Sequence, residues 1–106
     1  MEDKQKKYLE FILMNLVRDT KIEGNMVRYP FLPPTNDGIR YDVASVLRTA
    51  FADQIIRRDI RYESNYFFKF CRDHYGLSTK EILILLDWYG DTVSSMVVNS
   101  LRDSIR

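Results

Sequence analysis

The sequence predicts one mostly helical domain, and three observations support that fold class. Apolar residues recur every three or four positions along much of the chain, which is the period of an amphipathic helix. Ser78 and Glu81 have the spacing of a capping box and follow Gly76, a residue type that commonly ends a preceding helix. The chain has 106 residues, of which 45% are hydrophobic and 29% charged, as in a folded globular domain. We therefore predict an all-α fold of about five helices over residues 1–106, with a proline-containing arm or small β-hairpin between helices 1 and 2.

The first helix is predicted over residues 3–22. Its apolar stripe repeats at helical spacing and consists of Leu9, Ile12, Leu13, Leu16 and Val17. Tyr8, Phe11 and Met14 lie off this stripe, so the apolar surface of the helix is wider than one core contact needs. Either the rest of the domain or a second molecule is expected to cover this wider surface.

Residues 24–41 form the one long segment with weak helical character. Its three prolines exclude a continuous helix; they are Pro30, Pro33 and Pro34. Residues 35–38 are a turn signal, and the stretches around Val27 and Ile39 are candidates to pair as a small hairpin. An extended arm without pairing fits the sequence equally well, because proline removes hydrogen-bond donors from a β-ladder.

Four further helices are predicted after the arm. The second covers residues 42–58 and the third covers residues 64–75, each with apolar residues at helical spacing. A fourth helix over residues 79–89 is expected to end at Gly90, and a fifth follows it. Residues 77–106 are therefore predicted to form a C-terminal αα-hairpin. The sequence contains no internal repeat and no signal of a second domain.

The C-terminal third contains a pattern found in helix-turn-helix proteins. Aligned from Thr79, the five apolar positions of the motif hold Ile82, Leu86, Trp88, Val93 and Met96. The opening Leu-Ser-x-x-Glu-Ile and the twelve-residue separation of Glu81 from Val93 resemble the second-and-third-helix unit of sigma-factor and response-regulator DNA-binding domains. The resemblance covers about a quarter of the chain. It implies a transcription regulator that places residues 79–102 against duplex DNA.

The same segment departs from the helix-turn-helix pattern at several positions. Leu83 stands where two crossing helices need Ala or Gly, and Asp87 stands where the turn needs Gly. The positions that would face bases include Ser94 and Ser95, and none of them is Arg, Lys, Asn or Gln, which read bases best. With Arg102 as a further candidate contact, DNA binding is an alternative function rather than the favoured one.

A second nucleic-acid hypothesis rests on basic residues beside aromatic ones. Arg57, Arg58 and Arg61 lie near Tyr62 and Tyr66, an arrangement that can neutralise phosphates and stack bases. Acidic residues in the same stretch leave little local charge, and the whole chain has a formal net charge of +1. The composition therefore argues against a wide basic surface for nucleic acid.

Residues able to perform catalysis or bind a metal are few. Cys71 and His74 are the only cysteine and the only histidine, three positions apart on one predicted helix. A Cys–His pair can activate a thiolate or supply half of a zinc site, but either site needs further ligands or partners. The four glycines are scattered and form no phosphate-binding loop. We therefore expect a protein that is not an enzyme and has no cofactor, metal or small-molecule substrate.

The favoured hypothesis is a small protein-interaction module that acts by occupying a surface, as an adaptor, assembly subunit or inhibitor. The candidate partner-binding residues are aromatic or apolar and lie in the first helix and the proline-containing arm; they are Tyr8, Phe11, Met14, Tyr29, Phe31 and Leu32. The partner is another protein or a second copy of this chain in a homodimer. In the alternative, Phe31 and Leu32 fold back as a lid on the domain's own core.

The expected location is cytoplasmic. The apolar run from Tyr8 to Val17 is too short to span a bilayer, contains Glu10 and lacks a signal-peptide cleavage site. The lone Cys71 has no internal disulfide partner, which fits a reducing compartment. We therefore expect no contact with a membrane.

Overall fold

The computed structural model describes residues 1–23, 26–31, 41–42 and 66–104. These residues form three helices and three short strands, in the following order along the chain: α1 (Asp3–Asp19), β1 (Lys21–Glu23), β2 (Met26–Arg28), β3 (Tyr41–Asp42), α2 (Tyr66–Tyr75) and α3 (Thr79–Ser104). The described part of the chain is therefore mostly helical, as predicted. The predicted helix over residues 42–58 falls almost entirely outside the described residues.

Helix α1 begins where predicted and ends three residues earlier. Its inner stripe is buried at Leu9, Ile12 and Leu16. Thr20 leaves the helix with extended backbone, and its N–H donates to the carbonyl of Val17 at 3.2 Å. The prediction that the helix reaches residue 22 was wrong because residues 21–23 are paired with the next strand instead.

The three strands form a small antiparallel sheet in the order β1-β2-β3. Ile22 lies opposite Val27 across β1 and β2, and Val27 lies opposite Tyr41 across β2 and β3. The return of the chain near residue 41 to pair with the Val27 region confirms the hairpin alternative over the unpaired arm. The β1–β2 pairing was not predicted. Ile39 lies outside the described residues.

Gly76 and a capping box separate helices α2 and α3. Gly76 has a φ of +64°, a left-handed conformation in which a side chain is strained. The Ser78 N–H donates to Glu81 Oε1 at 3.0 Å, and the Glu81 N–H donates to Ser78 Oγ at 3.3 Å. The capping box predicted from the sequence is therefore confirmed, and the start of α3 is fixed by these two bonds.

The predicted break at Gly90 was wrong, because α3 is one continuous helix from Thr79 to Ser104. Tyr89 and Val93, on either side of the glycine, are both fully buried. The apolar stripe keeps its helical phase through the glycine and includes the buried residues Ile82, Leu86, Tyr89, Val93 and Val97. Gly in a helix costs only about 1 kcal/mol relative to Ala, less than the burial of this stripe contributes. The described residues consequently contain no αα-hairpin after residue 77, and the five-helix prediction is not supported.

The core lies between α1, the sheet and the two later helices. Ring contacts connect the segment after β2 to both helices: Tyr29 to Phe31 at 5.3 Å, Phe31 to Phe67 at 5.2 Å and Phe67 to Tyr89 at 5.6 Å between centroids. Thr20 Oγ1 donates to the Leu16 carbonyl at 2.6 Å, so the Tyr89 hydroxyl donates to Thr20 Oγ1 at 2.5 Å. This buried bond joins the end of α1 to the middle of α3.

Candidate protein-interaction surface

The outer face of α1 carries the largest exposed apolar side chains of the described residues, apart from Met1 and Tyr66. Tyr8 is 44% exposed, Phe11 is 58% exposed and Met14 is 71% exposed. They stand three residues apart, so they follow one another along a helical face. The sequence analysis predicted these three residues to lie off the core stripe, and the structure places them on the surface. We name this surface, Tyr8, Phe11 and Met14, the α1 outer face.

Two features position the α1 outer face. Its opposite side is anchored by the buried stripe of the same helix. The Tyr8 hydroxyl also donates to the backbone carbonyl of Tyr75 at 3.2 Å, where α2 ends. A rigid aromatic side chain loses little conformational entropy when it binds, so a fixed ring is a favourable anchor for a partner.

A shallow crevice lies beside α2. Its volume is about 220 Å³. The aromatic lining residues are Phe31, Tyr66 and Phe70, and the polar ones are Lys69, Asp73 and His74. The His74 ring meets Phe70 edge to face at 4.3 Å and lies 6.2 Å from Tyr75. The Tyr8–Tyr75 hydrogen bond therefore connects the α1 outer face to a second aromatic region on α2.

Two of the predicted partner-binding residues belong to the core instead. Tyr29 is 3% exposed and Phe31 is 7% exposed, in ring contact with each other and with Tyr89. Their prediction as surface anchors was wrong, because the chain after β2 folds back over α2 and α3. The fold-back alternative is thus realised at Phe31, whereas Leu32 lies outside the described residues.

Three of the six candidate nucleic-acid contacts lie among the described residues. Ser94, Ser95 and Arg102 line one side of α3, and Ser95 Oγ donates to the Asp91 carbonyl one turn earlier. Because α3 has no turn at Gly90, these residues do not form the second helix of a helix-turn-helix. The other three candidates, Arg57, Arg58 and Arg61, lie outside the described residues.

Cys71 and His74 do not form an activated pair. Cys71 is fully buried, and burial raises the pKa of its thiol to about 12, so the thiolate is not populated at neutral pH. His74 is exposed and its ring contacts Phe70 and Tyr75. Within the part of the chain that the structure describes, no group of three or more His, Cys, Asp or Glu could hold a metal ion.

Two broader findings complete the description of the surface. Among the described helices, none combines the length and apolar character needed to cross a membrane. Comparison of the chain with protein-family models, with curated proteins and with solved structures found no match.

Sequence reasoning missed the charged residues that continue the α1 outer face. Lys4 and Lys7 precede Phe11 and Met14 at spacings of three and four, and all four side chains are exposed. The signal was available in the sequence, because positions 4, 7, 11 and 14 follow the alternating three-and-four spacing of a coiled-coil contact stripe. The core stripe of the same helix is more apolar, so it dominated the prediction and the charged stripe was not identified.

Proposed function

We propose that this chain is a protein-interaction module that binds its partner through the α1 outer face. The observation that carries the proposal is the exposure of Tyr8, Phe11 and Met14 on consecutive turns of a helix whose other side is buried in the core. Aromatic residues and methionine are enriched where proteins bind one another. Exposed apolar groups on consecutive turns reduce solubility unless a partner covers them, so their presence favours a binding role.

The size of this surface indicates the kind of complex it forms. Three side chains on one helix, with or without the crevice beside α2, fit the lower end of interface sizes, below about 1,200 Å² in total. Such interfaces are typical of transient complexes rather than obligate assemblies. The module therefore acts as an adaptor or regulator that binds and releases its partner.

Site-specific photo-crosslinking tests the proposal. A photoreactive phenylalanine analogue replaces Phe11 in one sample and Ser95, an exposed residue of α3, in the matched control. Each protein is irradiated in a lysate of cells that express the chain naturally, and crosslinked species are identified by mass spectrometry. We expect discrete protein adducts from position 11 that are lost when Met14→Asp is added.

The outcomes separate the candidate functions. Equal adduct patterns from positions 11 and 95 show that position 11 has no special role, and this result contradicts the proposal. Adducts with DNA from position 95, with none from position 11, favour the regulator alternative instead. Retention of the position-11 adducts in the presence of Met14→Asp also contradicts the proposal, because Met14 lies one turn from Phe11 on the proposed surface.

A further inference from the structure

We infer that the α1 outer face binds an acidic amphipathic helix of another protein, and this inference rests on the proposed function. The occupant carries apolar side chains opposite Phe11 and Met14 and carboxylates opposite Lys4 and Lys7. The spacing of the exposed residues and the charges along α1 support this chemistry.

The spacing indicates a helical occupant. Lys4, Lys7, Phe11, Met14 and Arg18 stand at intervals of three, four, three and four residues, and all five side chains are exposed. This repeat of 3.5 residues keeps a stripe in contact with a second helix over several turns. An extended peptide instead pairs with the edge of a β-sheet and contacts it through alternate residues, so it does not match this helical spacing.

The charges indicate an acidic occupant. The two lysines at the N-terminal end of the stripe have no ion-pair partner among the described residues, whereas Arg18 pairs with Asp19 at 3.1 Å. Complementary charges at the edge of an apolar contact set orientation and accelerate encounter. Carboxylates on the occupant opposite Lys4 and Lys7 therefore fix its direction along α1.

The same charges argue against a second copy of this chain as the occupant. In a parallel pair of copies each lysine faces its own counterpart, and in an antiparallel pair Lys4 faces Arg18, so both homodimers place like charges together. Asp3 and Glu10, exposed residues that border the stripe on one side, carry the opposite charge. The occupant's carboxylates therefore lie against Lys4 and Lys7 and away from this border.

Peptide display identifies the chemistry that the surface selects. A library of random peptides about two heptads long is selected on the full chain, and the most enriched peptide is synthesised with a fluorophore. Its affinity is measured by anisotropy for the wild type, for Lys4→Glu/Lys7→Glu and for Phe11→Asp/Met14→Asp. The charge-matched control is Arg72→Glu/Arg102→Glu, which reverses two exposed cations on α2 and α3.

We expect enriched peptides with apolar residues at 3.5-residue spacing and an excess of Asp and Glu. Reversal of Lys4 and Lys7 is expected to weaken binding at least about tenfold, and more at low salt than at high salt. The control variant is expected to stay within about twofold of the wild type, because exposed charges away from the contact act weakly. Circular dichroism tests whether each variant is folded. We expect all of them to fold, because all the changed side chains are exposed.

The contrary outcomes are distinct. If the enriched peptides are neutral or basic, or if their affinity does not change in Lys4→Glu/Lys7→Glu, the proposal of an acidic occupant is wrong. If binding of such peptides still requires Phe11 and Met14, the proposed interaction surface is retained. Peptides whose affinity is unchanged in Phe11→Asp/Met14→Asp, or no enrichment at all, contradict both proposals.

Two other occupants have their own signatures. If the chain dimerises in sedimentation equilibrium and Phe11→Asp/Met14→Asp abolishes the dimer, the occupant is a second copy. Binding to phosphatidylcholine–phosphatidylserine vesicles that depends on Lys4 and Lys7 identifies a lipid surface.

Discussion

The same substitution at two phenylalanines separates the core from the proposed interaction surface. Phe31 is 7% exposed and its ring contacts those of Tyr29, Phe67 and Tyr89. Phe11 is 58% exposed. Phe31→Ala and Phe11→Ala remove identical atoms, so any difference in their effect on the free energy of unfolding reports the surroundings rather than the residue type.

The expected magnitudes follow from burial. Truncation of a buried phenylalanine costs about 3–5 kcal/mol, and the three ring contacts place Phe31 in the upper part of this range. Truncation of an exposed residue stays within about 0.5 kcal/mol of zero. Since 1 kcal/mol shifts the thermal midpoint of a domain this small by about 4–8 °C, Phe31→Ala is expected to lower it by more than about 10 °C.

Urea denaturation followed by circular dichroism measures both free energies. Binding of the display-selected peptide gives the complementary readout, in which Phe11→Ala weakens the complex although it leaves stability almost unchanged. A loss of less than about 1 kcal/mol for Phe31→Ala refutes its place in the core. An equal loss for Phe11→Ala refutes the assignment of that side chain to the surface.

Four further predictions concern the contacts and the burial that hold the fold. Loss of the cap in Ser78→Ala is expected to cost about 1 kcal/mol in urea denaturation, whereas no change means that the capping box is not formed in solution. Hydrogen bonds from the Ser78 N–H, the Gln5 amide and the Ser78 hydroxyl lower the pKa of Glu81 below its ordinary 4.5. The wild type should therefore lose its stability advantage over Glu81→Gln as the pH falls through this lowered pKa; a constant difference from pH 6 to pH 3 contradicts the bonds. Removal of the hydroxyl in Tyr89→Phe is expected to cost about 1 kcal/mol, with a coupling to Thr20→Val in a double-mutant cycle; additive effects contradict the Thr20–Tyr89 bond. Because Cys71 is buried and its pKa is raised to about 12, a thiol reagent should modify it only as fast as the chain unfolds; immediate modification of the native protein contradicts its burial.

Local signals in the sequence predicted the elements whose bonds are themselves local. The capping box joins Ser78 to Glu81 across three residues, and Gly76 takes up a left-handed conformation that few other residues adopt. The inner stripe of α1 was equally readable, because Leu9, Ile12 and Leu16 recur at the helical period. In each case the residues that carry the signal lie within a few positions of one another along the chain.

The errors arose where a local signal competes with contacts far away in the sequence. Gly90 predicts a helix end, but the buried stripe of α3 continues past it in phase, and tertiary burial outweighs the cost of one glycine. Similarly, the prolines near Phe31 suggested an exposed arm, whereas the ring contacts of Phe31 are to α2 and α3. No pattern within the arm specifies those distant rings.

The β1–β2 pairing carried a signal that was overlooked. Gly24-Asn25 stands between two three-residue stretches, and a two-residue Gly-Asn connection between apolar-containing segments is typical of a hairpin. The strong helical period of α1 masked it, and the predicted helix was extended to Ile22 although this residue lies off the apolar stripe. On the surface, Tyr8, Phe11 and Met14 were found because they fall outside the core stripe, and the same test applied to charges finds Lys4 and Lys7.

Hydroxyl-radical footprinting tests most directly whether a partner covers the α1 outer face. The protein is exposed to radicals once in purified form and once in native lysate, and oxidation of each side chain is quantified by mass spectrometry. Phe11 and Met14 should be oxidised readily in the purified protein and protected in the lysate, while Met1, 61% exposed, changes little. Equal oxidation of Phe11 and Met14 in both samples contradicts the central claim that this face is a binding surface.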